Sequence, residues 1–230
     1  GCAMRCALCC NPESQSFEIQ TLIEGGKEKV VGKDVTVADI MPEILADMPY
    51  YRRSGGGVTL SGGEVLAQAD FAAELLKACK EAGLHTAIES TGNAPWSDIE
   101  KLLPYLDLYL MDIKHMDSAK HKEYTGASNE RILENARRIA ASGVELTIRT
   151  PVVPGFNDTE RDIKAIADFA RSLGKAREYH LLPYHRLGAD KYTGLGRVYS
   201  LPEILPPPRE RMEYLLSVAE TSGLKCQIGG

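Results

Sequence analysis

Several absences narrow what this chain can be. None of its apolar runs approaches the roughly 20 residues that a membrane-spanning helix needs. Positive charge is not in surplus: 27 Lys and Arg against 32 Asp and Glu leave a net charge of −5, which argues against a broad nucleic-acid surface. There is no low-complexity tail and no short repeat of the solenoid kind. The six cysteines are not spaced as a disulfide framework, since four crowd into the first ten residues. With no secretory signal ahead of them, the expected setting is the reducing cytoplasm. A second cysteine pair or an H-x3-5-H spacing, which would close a structural zinc shell, is also missing. What is left, 230 residues with 43% hydrophobic and 26% charged, suits one globular domain with a substantial core.

The cysteines themselves are the strongest positive signal. Cys2, Cys6 and Cys9 form a C-x3-C-x2-C run whose thiolates can converge on one metal centre. Three ligands satisfy three irons of a four-iron cubane and leave the fourth open to a substrate or cofactor, which is a catalytic arrangement. Cys10 could serve as a further ligand. Adjacent cysteines rarely reach one cluster, however, so Cys10 is read as a non-ligand lining the site. Cys79 falls on the apolar side of a helical pattern with Phe71, Leu75 and Leu76, and Cys226 lies in a short terminal strand pattern.

Along the rest of the chain, strand and helix patterns alternate. Val58–Leu60, Thr86–Glu89, Leu108–Ile113, Leu146–Arg149 and Glu178–Leu182 are short apolar runs suited to buried parallel strands. Amphipathic segments between them carry boundary signals. Ser97-x-x-Glu100 reads as a capping box, Asp158 as the cap of a helix running towards Leu173, and Thr36-x-x-Asp39 as another start that Pro42 would kink or delay. Gly83, Gly143, Gly174 and Gly223 sit where a left-handed residue ends a helix. Such alternation gives an α/β fold, a parallel sheet with helices outside that closes wholly or partly into a barrel.

In barrels of this kind chemistry gathers at the carboxyl ends of the strands, and polar residues recur there. Ser61-Gly62-Gly63-Glu64, Glu89-Ser90-Thr91-Gly92, Asp112-Ile113-Lys114-His115, Arg149-Thr150-Pro151 and Pro183-Tyr184-His185 follow the five strands in turn. A lone Gly-Gly-Glu would be an ordinary turn. Five polar strand ends beside three clustered thiols point to a site.

Together with the long run Ser54-Gly55-Gly56-Gly57-Val58-Thr59-Leu60-Ser61-Gly62-Gly63-Glu64, Ile148–Gly155 and Leu181-Leu182-Pro183-Tyr184-His185, these segments resemble the radical S-adenosylmethionine (SAM) enzymes that activate glycyl radical enzymes. The resemblance covers nearly the whole chain. It implies a partial (β/α)6 TIM-like barrel of the radical SAM type over residues 1–230. It also implies an oxidoreductase in which Cys2, Cys6 and Cys9 hold a [4Fe-4S] cluster and S-adenosylmethionine chelates the fourth iron. Reductive cleavage of that cofactor yields a 5′-deoxyadenosyl radical, which takes hydrogen from a backbone glycine of a partner glycyl radical enzyme. The electron comes from a donor such as flavodoxin or ferredoxin, and neither nucleic acid nor membrane is a partner.

Roles carry over by position. Gly62 and Gly63 offer backbone to the cofactor with Glu64 nearby. Arg149 suits its carboxylate or ribose through the guanidinium fork. Asp112 and Lys114 fall where the family contacts cofactor or partner backbone, with a local surface ion pair as the plainer alternative, and His185 falls at a cofactor contact. Glu89 and Ser90 replace an Asp-Thr pair associated with a monovalent cation. His85, His115, His121 and His180 read as ordinary helix, loop or core residues.

Two departures stand out. The strand with an Asp-Gly-Pro-Gly-type segment that relatives carry before the cysteine loop is absent, so an amino terminus shortened in this sequence is the expectation. Residues 16–33 hold no cysteine and read as a linker, with Gly25-Gly26 as a turn, where relatives carry a ferredoxin-like insert. Two other classes stay open: a radical SAM enzyme acting on a small molecule or nucleoside, and a non-catalytic zinc-binding module.

Overall fold

The computed structural model describes residues 1–230. An antiparallel hairpin, β1 (Gln20–Glu24) and β2 (Lys27–Val31), precedes a six-stranded parallel sheet. Its strands are β3 (Gly57–Leu60), β4 (His85–Ser90), β5 (Leu108–Asp112), β6 (Glu145–Val152), β7 (Ala176–Pro183) and β8 (Lys225–Ile228), side by side in chain order. Successive crossovers that always step to the next position wind in one direction, and with strand twist this curls the sheet into an open barrel whose edges are β3 and β8. Helices α1 (Val37–Ala46) and α2 (Met48–Ser54) lead into β3; α3 (Ala69–Glu81) and α4 (Trp96–Leu102) follow β3 and β4. After β5 come α5 (Ser118–Thr125) and α6 (Glu130–Ser142), after β6 comes α7 (Glu160–Ser172), and after β7 come α8 (Ala189–Gly194) and α9 (Arg209–Glu220).

Alternation along the strands decides which side chains meet the helices. Ile88, Tyr109, Met111, Leu146, Ile148, Tyr179 and Leu181 are buried in one core with Leu76, Ile99, Ile132, Ile163 and Leu215 of the helices. Each such aliphatic side chain stabilises the fold by roughly 1.5–3 kcal/mol. The opposite faces turn inward, and register sets Asp112, Arg149 and His180 on neighbouring strands at one level.

The expected strands are all present, with two extensions. β6 runs on to Val152 because its far end pairs with β7 up to Pro183, and the hairpin occupies much of the supposed linker. Gly25 and Gly26 do form its turn, at φ +59° and +78°, the conformation a two-residue hairpin loop requires. Its flanking strands lack an alternating apolar pattern because only Leu22 is buried. Three boundary signals behave differently from expectation. Pro95, not Ser97, takes the cap position of α4, and its carbonyl accepts the Asp98 N–H at 3.1 Å. Thr159, not Asp158, caps α7 by accepting the Asp162 N–H, while Asp158 accepts from the Gly155 N–H. α1 starts at its Thr36–Asp39 capping box and runs through Pro42 undelayed. Gly83, Gly143, Gly174 and Gly223 all take positive φ.

Candidate functional site

The cysteine loop lies across the carboxyl ends of the strands because both flanks are tied down. Its backbone is hydrogen-bonded to the end of α5, Arg5 N–H to the Thr125 carbonyl and Ala7 N–H to the Tyr124 carbonyl, each at 2.8 Å. On the other side the Glu64 N–H reaches the Gly1 carbonyl at 3.0 Å. Beyond the cysteines, Lys191 of α8 donates to Asn11 Oδ1 at 2.8 Å and to Glu13 Oε1 at 2.7 Å, and Arg197 donates to the Pro12 carbonyl at 2.9 Å. Leu8 packs with Val153, Phe156 and Tyr184 as a small apolar seal beside the loop.

Loop and strand ends enclose a cavity of about 500 Å³. Cys2, Cys6, Cys9 and Cys10 line one part of its wall, and Glu89, Asp112, Lys114, Arg149 and His185 line another. The charged residues are chained together. Arg149 Nη1 donates to Glu89 Oε1 at 2.6 Å, while its Nε and Nη2 donate to Asp112 Oδ1 at 3.2 and 3.1 Å. Lys114 Nζ donates to Asp112 Oδ2 at 2.9 Å, and Ser61 Oγ donates to Glu89 Oε2 at 2.7 Å. The Asp112–Lys114 pair is therefore buried in the cavity wall, not the exposed surface pair that the sequence left open. Burial opposes the Asp112 charge, but Lys114 and Arg149 outweigh it and hold the carboxyl below the usual range. Burial likewise opposes the Lys114 ammonium, and Asp112 followed by Cys6 raises it above its ordinary value.

Burial also pushes the Cys6 thiol up to about 11 and moves those of Cys2, Cys9 and Cys10 upward. No three His, Cys, Asp or Glu side chains converge as ligands of a single ion do. Three thiols along one cavity wall, with a buried ammonium nearby, instead fit a larger, negatively charged iron–sulfur group.

Other expected site residues are placed unevenly. Gly62, at φ +124°, and Gly63 both face the cavity. A Cβ on Gly63 would lie 2.7 Å from the Gly1 carbonyl and 2.6 Å from Ser14, so its smallness serves the approach of the cysteine loop. Glu64 and Ser90 are not on the cavity wall: Glu64 accepts from Ser90 Oγ at 2.6 Å and from the Thr91 N–H and hydroxyl at 3.0 and 2.7 Å, clasping the end of β4. Glu89 and Ser90 alternate across the strand, and their side chains bond to different partners. Cys10 lines the cavity with its sulfur 3.9–4.0 Å from the two ring nitrogens of His185. Among the other histidines, His115, His121 and His180 are buried and His85 is exposed at a strand start.

Residues that the sequence did not single out also shape the site. Lys191 and Gly188 hold the cysteine loop, and a Cβ on Gly188 would meet Cys10 Cα at 2.7 Å and the Cys9 and Cys10 carbonyls at 2.9 Å. Asn157 braces the end of β6 against the segment after β5. Only the lysine and glycine of the Leu187-Gly188-Ala189-Asp190-Lys191 stretch carried any local signal, and it was that of a loop entering a helix.

Comparison with known proteins gives three findings. Residues 1–170 match the family described as the Radical SAM superfamily. The pyruvate formate-lyase 1-activating enzyme of Escherichia coli is 37% identical over 99% of this chain and 89% of its own length, and the (2S)-3-sulfopropanediol dehydratase activating enzyme of Klebsiella oxytoca is 41% identical over 87% of this chain. The chain spans 65% of the latter's length, just under two thirds. Among solved structures, a domain of pyruvate-formate lyase-activating enzyme from Bacteroides vulgatus superposes with a TM-score of 0.65 at 33% identity, covering 76% of this chain and 99% of that one.

Proposed function

The chain belongs to the radical SAM superfamily, among relatives named as activating enzymes, and on that premise we propose that it activates a glycyl radical enzyme by taking hydrogen from a backbone glycine of that partner. The observation that carries the reading is the meeting of three thiols and the Glu89–Arg149–Asp112–Lys114 chain on the wall of one cavity. Cys2, Cys6 and Cys9 would hold the [4Fe-4S] cluster. Cluster and S-adenosylmethionine, when bound, supply the electron and the cleavable sulfonium bond that make hydrogen abstraction possible.

The chain's own residues bind, orient and exclude water. Gly62 and Gly63 present backbone to the cofactor's methionyl end; the space beside Gly62 is open, while the lack of a side chain at Gly63 lets the cysteine loop close against it. Lys114 and Arg149 supply fixed positive charge for its carboxylate or ribose oxygens, and Asp112 keeps both cations in place. The Leu8, Val153, Phe156 and Tyr184 seal keeps solvent from one side of the cavity. His185 and Tyr184 stand on the part of the wall formed by the end of β7, where the partner's glycine loop would enter. A flavodoxin or ferredoxin is the electron donor in this reading.

The test is to reconstitute the protein anaerobically, reduce it, and incubate it with S-adenosylmethionine and candidate glycyl radical enzymes. A glycyl radical signal on one partner supports the proposal. Consumption of the cofactor with a small metabolite, and no radical on any partner, would assign the chain to the small-molecule class of radical SAM enzymes instead.

A further inference from the structure

β5 ends at Asp112, yet the segment leaving it is held as if the ladder continued. The last backbone bond there is from the Ile113 N–H to the Arg149 carbonyl, at 2.9 Å. Four successive carbonyls then go to buried side chains. Thr150 Oγ donates to the Ile113 carbonyl at 2.8 Å and Asn157 Nδ2 to that of Lys114 at 2.7 Å. Asn129 Nδ2 donates to the carbonyls of His115 and Met116 at 2.9 and 2.8 Å. Asn157 has no solvent exposure, and it also donates to the Pro151 carbonyl and accepts the Val153 N–H, both at 2.8 Å. Two carbonyls and one N–H leave only one orientation for that amide. Its side chain thus replaces backbone pairing across the gap between Lys114 and Pro151–Val153, where β6 still pairs with β7 but no longer with β5.

We infer that Asn157 is a positioning residue: by fixing the backbone of Lys114 to the end of β6, it sets the Lys114–Asp112 pair against Arg149 on the cavity wall. Lys114 has a long, flexible stem and a single side-chain partner, Asp112. Its ammonium can stay in one place only if its backbone does. Without Asn157, two buried backbone groups and the half-buried Pro151 carbonyl lose their partner together, and the segment should move away from β6.

Only the ligand arm of the test rests on the proposed function. In the metal-free protein, acylation of Lys114 is measured by mass spectrometry against Lys80; their side chains are 7% and 37% exposed. Asn157→Ala should raise Lys114 labelling relative to Lys80 by about tenfold, and in reconstituted protein it should weaken S-adenosylmethionine binding by about tenfold at unchanged iron content. Leu215→Ala, which removes a fully buried side chain of α9, serves as a control destabilised elsewhere and should change neither ratio. If Asn157→Ala does not fold, Asn157→Ser keeps one hydroxyl and should shift both readouts the same way by less. Labelling and affinity that match the Leu215→Ala control would overturn the inference. If the wild-type protein itself fails to bind S-adenosylmethionine, the reading of the cavity falls, while the lysine labelling still decides the role of Asn157.

Discussion

Asp112 and Arg149 are register partners across β5 and β6, and the guanidinium directs two of its N–H groups to a single oxygen of that carboxylate, at 3.2 and 3.1 Å. The other carboxylate oxygen takes Lys114, so two cations share one half-buried anion. Glu89 then balances the far edge of Arg149. The result is a line of alternating charge across the ends of three neighbouring strands, β4, β5 and β6.

That arrangement makes stability depend on pH at both extremes. The Asp112 carboxyl lies below its unfolded value of about 3.9, so its contribution is present above that pH and is lost as pH falls through the folded value. Lys114 lies above its unfolded value of about 10.4, so its contribution is present below that pH and is lost as pH rises through the folded value. In urea unfolding of metal-free protein, Asp112→Asn should flatten the acid limb and Lys114→Met the alkaline limb, each with a loss of about 3 kcal/mol at neutral pH. An acid limb of unchanged shape in Asp112→Asn would show that the pair is not coupled to folding.

Gly188→Ala should impair metal loading although residue 188 is no ligand. Its backbone conformation suits alanine, with φ −85°, so the only new cost is the Cβ pressed against the Cys9–Cys10 backbone. Iron bound per chain after anaerobic reconstitution should drop well below wild type. Gly143→Ala, with open space around the added carbon, tests the opposite cost, since its φ of +93° strains the end of α6 without touching the loop. Equal iron in wild type and Gly188→Ala would mean that the α8 side does not hold the cysteine loop in place.

Ligand assignment among the four clustered cysteines is open to direct count. Reconstituted wild type should hold about four irons at this site, Ala at position 2, 6 or 9 should abolish them, and Cys10→Ala should retain them. Loss of iron in Cys10→Ala together with its retention in Cys9→Ala would reverse the assignment.

The barrel was legible because burial on the helix side writes continuous apolar runs into β4 to β7, and because glycine alone ends helices such as α3 and α6 cheaply at positive φ. The hairpin was not, since a strand pair with one buried residue, Leu22, leaves no alternation to detect. Strand-end positions of Asp112, Arg149 and Glu89 followed from periodicity. Their mutual bonds did not, because a contact 60 residues apart such as Glu89–Arg149 depends on register. Asn157 was invisible for a related reason: within Pro154-Gly155-Phe156-Asn157 an asparagine reads as a turn residue, and only the fold turns its amide towards Lys114.

The central claim is that the hydrogen taken by this chain comes from a backbone glycine, and isotope transfer tests it most directly. Reconstituted, reduced protein should be given S-adenosylmethionine and either a partner or a peptide copying its radical loop, deuterated at the glycine alpha carbon. Deuterium appearing in 5′-deoxyadenosine is the expected result, with loss of transfer when that glycine is replaced by alanine. Cofactor cleavage without label from any glycyl partner or peptide, alongside label from a deuterated small metabolite, would contradict the claim.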